Sequence, residues 1–343
     1  NTRTCPVFRS QADAELTKKI YRRVPVLIDE SKGDAGNPWG ISFMRMLDMA
    51  NDSGLFRTSA ELTVDGAQRD GPNWKSLKGD VWVPLYEAKM AHQFDHRWAT
   101  YEDNGTDSRD LTDEEKDNPA SFAHPRYWIK ESDKTIALGN HASRTFLLGW
   151  RRISNTTNER TTISFLLPSV GAGDSVFLMH TTRNAKFACA LNAGLNAITS
   201  DWVTRQKMGG TNLSYYYMRQ LPVLPPGNYT LKDLEYISDR VLELTYTAYD
   251  MTPFARELGY KGPPFGWIPD RRAILRAELD AYYAKLYCLT RDELRYILDP
   301  ADIYGDDYPS ESFRGLKNKE IRQFGEYRTR RLVLEAWDRL ASS

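Results

Sequence analysis

Glu87-Ala88-Lys89 follows the apolar run VWVPLY, and acids lie upstream at Asp65, Asp70 and Asp80. Carboxylates followed by a lysine can run a magnesium-dependent cleavage, in which the acids hold the ion and the lysine helps activate water. A bare Glu-x-Lys is common, however, and no Pro-Asp pair precedes this one. His92 and His96, in HQFDH, have the spacing that puts two imidazoles on one helical face, as zinc sites can require. Gln93 stands where a zinc protease carries its glutamate, and a third ligand is not evident. Polar contacts to nucleic acid and plain core hydrogen bonds compete with the metal reading.

Residues 201–226 read DWVTRQKMGGTNLSYYYMRQLPVLPP. An apolar helix is expected to run into a basic turn, Arg205-Gln206-Lys207, and then into the bend Gly209-Gly210-Thr211-Asn212. Glycine lets a backbone come close to a phosphate, and Thr and Asn reach phosphate or base edges. At least two of Tyr215, Tyr216 and Tyr217 are expected to pack on a sheet. Several catalytic signatures are missing. The sequence has no G-x-x-x-x-G-K-[ST] phosphate loop, no G-x-S-x-G elbow and no Asn-Pro-Pro-[Tyr/Phe]. Gly171-Ala172-Gly173 lacks the third glycine of a dinucleotide-binding turn. No self-contained catalytic site is expected.

The elements that must position these residues follow from periodicity. Residues 11–23 alternate at helical spacing and stop before Pro25. Short apolar runs between turn residues predict strands from 39 to about 100, and the acidic stretch 102–120 reads as a surface loop or lid. TFLLGWRRIS (145–154) and TTISFLLPSV (161–170) read as buried strands joined by the polar NTTNER. Helical spacing returns over 185–206, with Ala188, Leu191, Leu195, Ile198 and Trp202 on one stripe. LPVLPPGNY (221–229) breaks the chain, and helices are expected over 230–248, 270–287, 290–298 and 317–340. Thr230 before Asp233, and Thr290 before Glu293, read as capping boxes. The expected class is α+β: a connector over 1–35, a mixed α/β recognition domain with a twisted sheet over 36–226, and a mostly helical domain over 227–343.

The 343 residues carry 46 basic and 46 acidic side chains, which excludes a uniformly basic nucleic-acid protein. The balance hides a division. Residues 101–135, Asp103 included, hold ten acids against five bases, and residues 141–220 hold nine bases against three acids. A basic stretch interleaved with Asn, Thr and aromatics suits a polyanion, although ordinary solvated faces look the same in sequence. Cys5, Cys189 and Cys288 are too few and too scattered to suggest a disulfide framework or a zinc site. No apolar run is long enough to span a bilayer and no leader is evident, so the expectation is a cytoplasmic protein. The start at Asn1, with mid-protein character over NTRTCPVFRS, suggests a C-terminal piece of a longer chain.

Residues 201–226 resemble the end of the target-recognition region of type II and type IIG restriction-modification adenine methyltransferases, including the large phage-defence methylases. NTRTCPVFRS, IYRRVPVL, VPLYEAKMAHQFDHR (83–97), RRISNTTNERTTISFLLP (151–168), RAELDAYYAKLYCLTRDELRYILDP and FGEYRTRRLVLEAWD fit the same family in order. The resemblance implies a DNA-recognition fragment without its catalytic domain. S-adenosylmethionine would belong to that missing upstream domain, and double-stranded DNA would be the shared partner. Under this reading Arg151, Arg152 and Arg160 contact phosphate or guanine, and Asn155, Thr156, Thr157 and Asn158 read adenine edges or position the backbone. Arg205, Lys207, Gly209, Gly210, Thr211 and Asn212 approach phosphate. Lys89, His92, Gln93, His96 and Arg97 form a second group, and Arg328, Arg330 and Arg331 can be read as merely solvated. Two alternatives remain: a nuclease built on Glu87 and Lys89, and a non-catalytic interaction module using the acidic 101–135 stretch.

Overall fold

The computed structural model describes residues 6–102, 104–309 and 311–342, so Cys5, Asp103 and the opening five residues lie outside it. The class is α+β, as the sequence implies. Four strands form one antiparallel sheet in the order Ser42–Met44, Val176–His180, Phe146–Arg151 and Ser164–Pro168. Their runs FLLGW, SFLLP and VFLMH are buried along nearly their whole length, which is why they read as unbroken apolar segments. A second sheet is centred on Val81–Tyr86. This strand pairs antiparallel with Tyr127–Lys130 and Asn73–Lys75, and parallel with Gly171–Ala172. Leu85, Ile129, Leu147, Phe165, Leu167 and Leu178 fill a core contributed by both sheets.

The helical stripe over 185–206 is divided. One helix covers Ala185–Asn196 and the next Ile198–Lys207, because Ala197 leaves the helical region at ψ 142°. The Asp280 carboxylate accepts from the Ile198 amide at 2.7 Å, so a side chain from a distant helix starts the second one. The expected 317–340 helix is likewise two, Arg314–Phe324 and Arg328–Ala341, parted by Gly325 in the left-handed region at φ 74°. Both expected capping boxes form, at Thr230/Asp233 and Thr290/Glu293. The three tyrosines lie on a helical turn, Tyr215–Met218, and not in a strand. Tyr215 still reaches the sheet and stacks on Phe43 and Phe177, whereas Tyr216 is exposed.

The Pro-rich 221–229 stretch marks a change from sheet to helix without a gap in packing. Leu16, Ile20, Trp39, Trp150, Trp202, Ile237, Tyr283 and Val333 belong to one buried cluster spanning all three segments of the chain. The Tyr287 hydroxyl donates to the Pro222 carbonyl at 2.7 Å. At Gly194 a Cβ would lie 2.9 Å from the Tyr283 ring, so glycine is what lets the 185–196 and 269–286 helices approach.

The acidic stretch is fastened down as well. It forms a hairpin, Ala99–Tyr101 with Ser108–Asp110, and a short helix, Asp113–Asp117. The fully buried Arg97 guanidinium donates to the carbonyls of Lys116, Asn118, Ser121 and Thr247, and so ties this stretch to the helical region.

Candidate functional site

The strand Phe146–Arg151 continues into residues 152–154, which meet the 209–212 bend. Leu213 donates its amide to the Arg152 carbonyl at 2.8 Å, Ser154 donates to the Thr211 carbonyl at 3.0 Å, and Ile153 and Asn212 form an antiparallel bridge. The two polar loops singled out in the sequence are therefore side by side. Thr157, Asn158, Gly209, Gly210, Thr211 and Asn212 are exposed, and both glycines have open space around them.

The 155–158 loop is shaped from within. The Asn155 side chain accepts from the Thr157 amide at 3.0 Å, and its carbonyl accepts from Asn158. Beneath it the Arg205 guanidinium donates to the carbonyls of Thr156 (2.8 Å), Asn158 (2.7 Å) and Glu159 (2.9 Å), and also to that of Ser312. Asp201, fully buried, accepts from the Thr161 and Thr162 amides and pairs with Arg160 at 3.1 Å.

Several expected DNA contacts are thus turned inward. Arg160 is buried, hydrogen-bonded to the Asn196 carbonyl and held between Asp201 and Asp280. Arg205 is committed to the loop. Lys207 is buried with its ammonium over the Tyr21 ring, because the last turn of the 198–207 helix faces the N-terminal helix Gln11–Arg23. Arg152 is half-buried beside Asp174 and over the Phe177 ring. Arg151 is half-buried as well. Its Nε donates to the Ala91 carbonyl at 2.9 Å, its buried Nη2 has no partner among the described residues, and burial lowers its pKa to about 10.

His92 and His96 do not share a helical face. His92 and Asp95 exchange backbone hydrogen bonds across Gln93-Phe94, a tight turn that holds Phe94 at φ 59°. The imidazoles consequently part. His96 is fully buried with Nε2 at 2.9 Å from Asp250, while His92 stacks on Trp98 with centroids 4.4 Å apart. Gln93 is buried and donates to the Thr162 carbonyl. Lys89 is exposed over the Tyr101 ring, and Glu87 accepts from the Tyr101 hydroxyl at 2.6 Å. Among the described residues no group of three His, Cys, Asp or Glu side chains is placed to share an ion.

Next to the loop pair opens a cleft of about 750 Å³, walled by His92, Trp98 and Arg151 on one side and by the 269–286 and 314–324 helices on the other. Arg272 and Arg276 enter it from one face of the 269–286 helix, four residues apart. Arg272 lies on the Trp267 ring at 3.6 Å, donates to the Leu244 and Phe94 carbonyls, and has its pKa lowered to about 9 by burial. Lys319 pairs with Glu159, and Arg328 pairs with Asp270. Arg276 points into the open space with no hydrogen bond or ion pair to any described residue.

The sequence reading passed over Arg272 and Arg276. The signal was in RRAILRAELD, where arginines four apart occupy a helix that buries Leu275 and Leu279. Arg330 and Arg331 are held by Asp302, Glu326 and Glu335. Compared with known proteins, the chain matches no family model and no curated protein.

Proposed function

We propose that the chain recognises a short sequence in double-stranded DNA and presents it to the adenine-N6 methyltransferase domain of a longer parent, which holds the S-adenosylmethionine. The observation that carries this reading is the loop pair. Thr157 and Asn158 are exposed on the loop that follows residues 152–154, and those residues pair with the exposed Gly209–Asn212 bend through Thr211 and Asn212. Amides and hydroxyls so presented suit base edges and phosphate oxygens. The positive charge for the DNA backbone comes from the cleft side, where Arg276 and Arg322 are exposed, since Arg160, Arg205 and Lys207 face the protein interior. Among the described residues no helix is long and apolar enough to cross a membrane.

Fluorescence anisotropy with random duplex across a salt series tests the reading. A log-affinity that falls steeply with log salt is expected. Asn158→Ala should relax discrimination at one base pair by about 1–3 kcal/mol while leaving random-duplex affinity in place. Failure to bind duplex even at low salt overturns the assignment.

A further inference from the structure

Arg276 is exposed on the cleft wall and pairs with no described residue; Asp280, Glu320 and Asp95 act on its charge electrostatically, none at ion-pair distance. A second cation lines the same cleft, where the buried Nη2 of Arg151 has no partner among the described residues. His92 lies between them in electrostatic terms. Burial and then the charges of Arg151 and Arg276 hold its imidazole well below its usual pKa, against the weaker pull of Asp95. Three nitrogen-bearing side chains from separate elements therefore converge on one cleft with excess positive potential. Guanidinium groups fit phosphoryl oxygens through paired N–H donors, and a walled cleft strengthens the attraction. The cleft's volume is that of a small-molecule pocket.

We propose that this cleft is a phosphoryl-anion site of nucleotide size, in which Arg276 and Arg151 grip the phosphoryl oxygens and His92 supplies a further hydrogen bond. The source is either a free nucleotide or one nucleotide of a bound DNA strand. The inference rests on the cleft and does not need the loop pair to read bases.

The probes are inorganic phosphate, a 5′-phosphorylated dinucleotide, the matching nucleoside without phosphate, and random duplex. Binding is followed by calorimetry and by tryptophan fluorescence. The phosphorylated probes should bind saturably and the bare nucleoside should not. Arg276→Gln should weaken dinucleotide binding at least tenfold with an unchanged melting temperature, and Arg331→Gln, on an ion-paired outer surface, should leave it alone. The His92 imidazole, followed by NMR, should titrate at higher pH in the presence of phosphate. Displacement of the dinucleotide by duplex identifies a DNA strand as the source, and retention under saturating duplex identifies a free nucleotide. A chain that takes the dinucleotide but not duplex keeps this site and removes the DNA reading. A chain that binds duplex equally well with Arg276→Gln and ignores the phosphorylated probes removes this site and keeps the DNA reading.

Discussion

Arg160 and Arg205 show why residue type alone misplaces a binding surface. Both lie in the basic stretch, but the carboxylates that turn Arg160 inward, Asp201 and Asp280, come from helices whose approach no local pattern reveals, and Arg205, four residues after Asp201 on one helix, is turned toward carbonyls of a loop distant in sequence. Arg205 also does what no other side chain could: its planar fork reaches several carbonyls of one loop at once. Arg205→Lys keeps the charge and loses the fork. Urea denaturation should show a loss of about 2–3 kcal/mol, and amide exchange over 155–159 should speed up.

His180, in a 3.8 Å stack with His141, has its pKa lowered to about 4, first by burial and then by the His141 and Arg144 charges. The unfolded chain takes up this proton near the ordinary histidine pKa of about 6.5. Stability is therefore intact above that pH and drains away as pH falls toward 4, by on the order of 2 kcal/mol. Melting curves at pH 7.5 and 4.5 should differ less in His180→Gln than in the parent chain.

At the level of elements, local grammar was legible and long-range interruption was not. Thr290 and Glu293 announce a helix start in four residues, and the capping box they form is purely local. Thr290→Ala should cost about 1 kcal/mol of unfolding free energy in thermal or urea melts. The break at Ala197 has no such sign, because the Asp280 carboxylate that starts the next helix belongs to a different part of the chain. The same holds for HQFDH. Its four-residue spacing suggests a helix, but the segment is a tight turn that keeps His92 at the cleft and sends His96 to Asp250. The joining of 152–154 to 211–213 was equally out of reach, since strand pairing across that distance depends on the packing of the intervening helices. Both loops could nonetheless be named from their polar composition between apolar runs.

For the whole molecule, hydrophobic periodicity pointed to the class, and the packing shows how its parts cohere. Trp202, Ile237 and Tyr283 share one core, and each fully buried large side chain is worth roughly 1.5–3 kcal/mol. Parts joined in this way should unfold together. Calorimetry is expected to show a single transition, and chains cut between residues 226 and 227 should not fold separately; two resolved transitions would contradict a shared core. The cleft belongs to this scale too, because its walls come from residues 92–197 and 267–332, far apart in the sequence.

The clasp under the 155–158 loop has a consequence for how such a surface changes over time. Arg205 holds backbone carbonyls, which every amino acid possesses, and asks nothing of the side chains above it. Thr157 and Asn158 can be exchanged for other residues while their support stays in place. Under the proposed DNA reading, single substitutions there alter what the loop recognises without first rebuilding the scaffold that displays it.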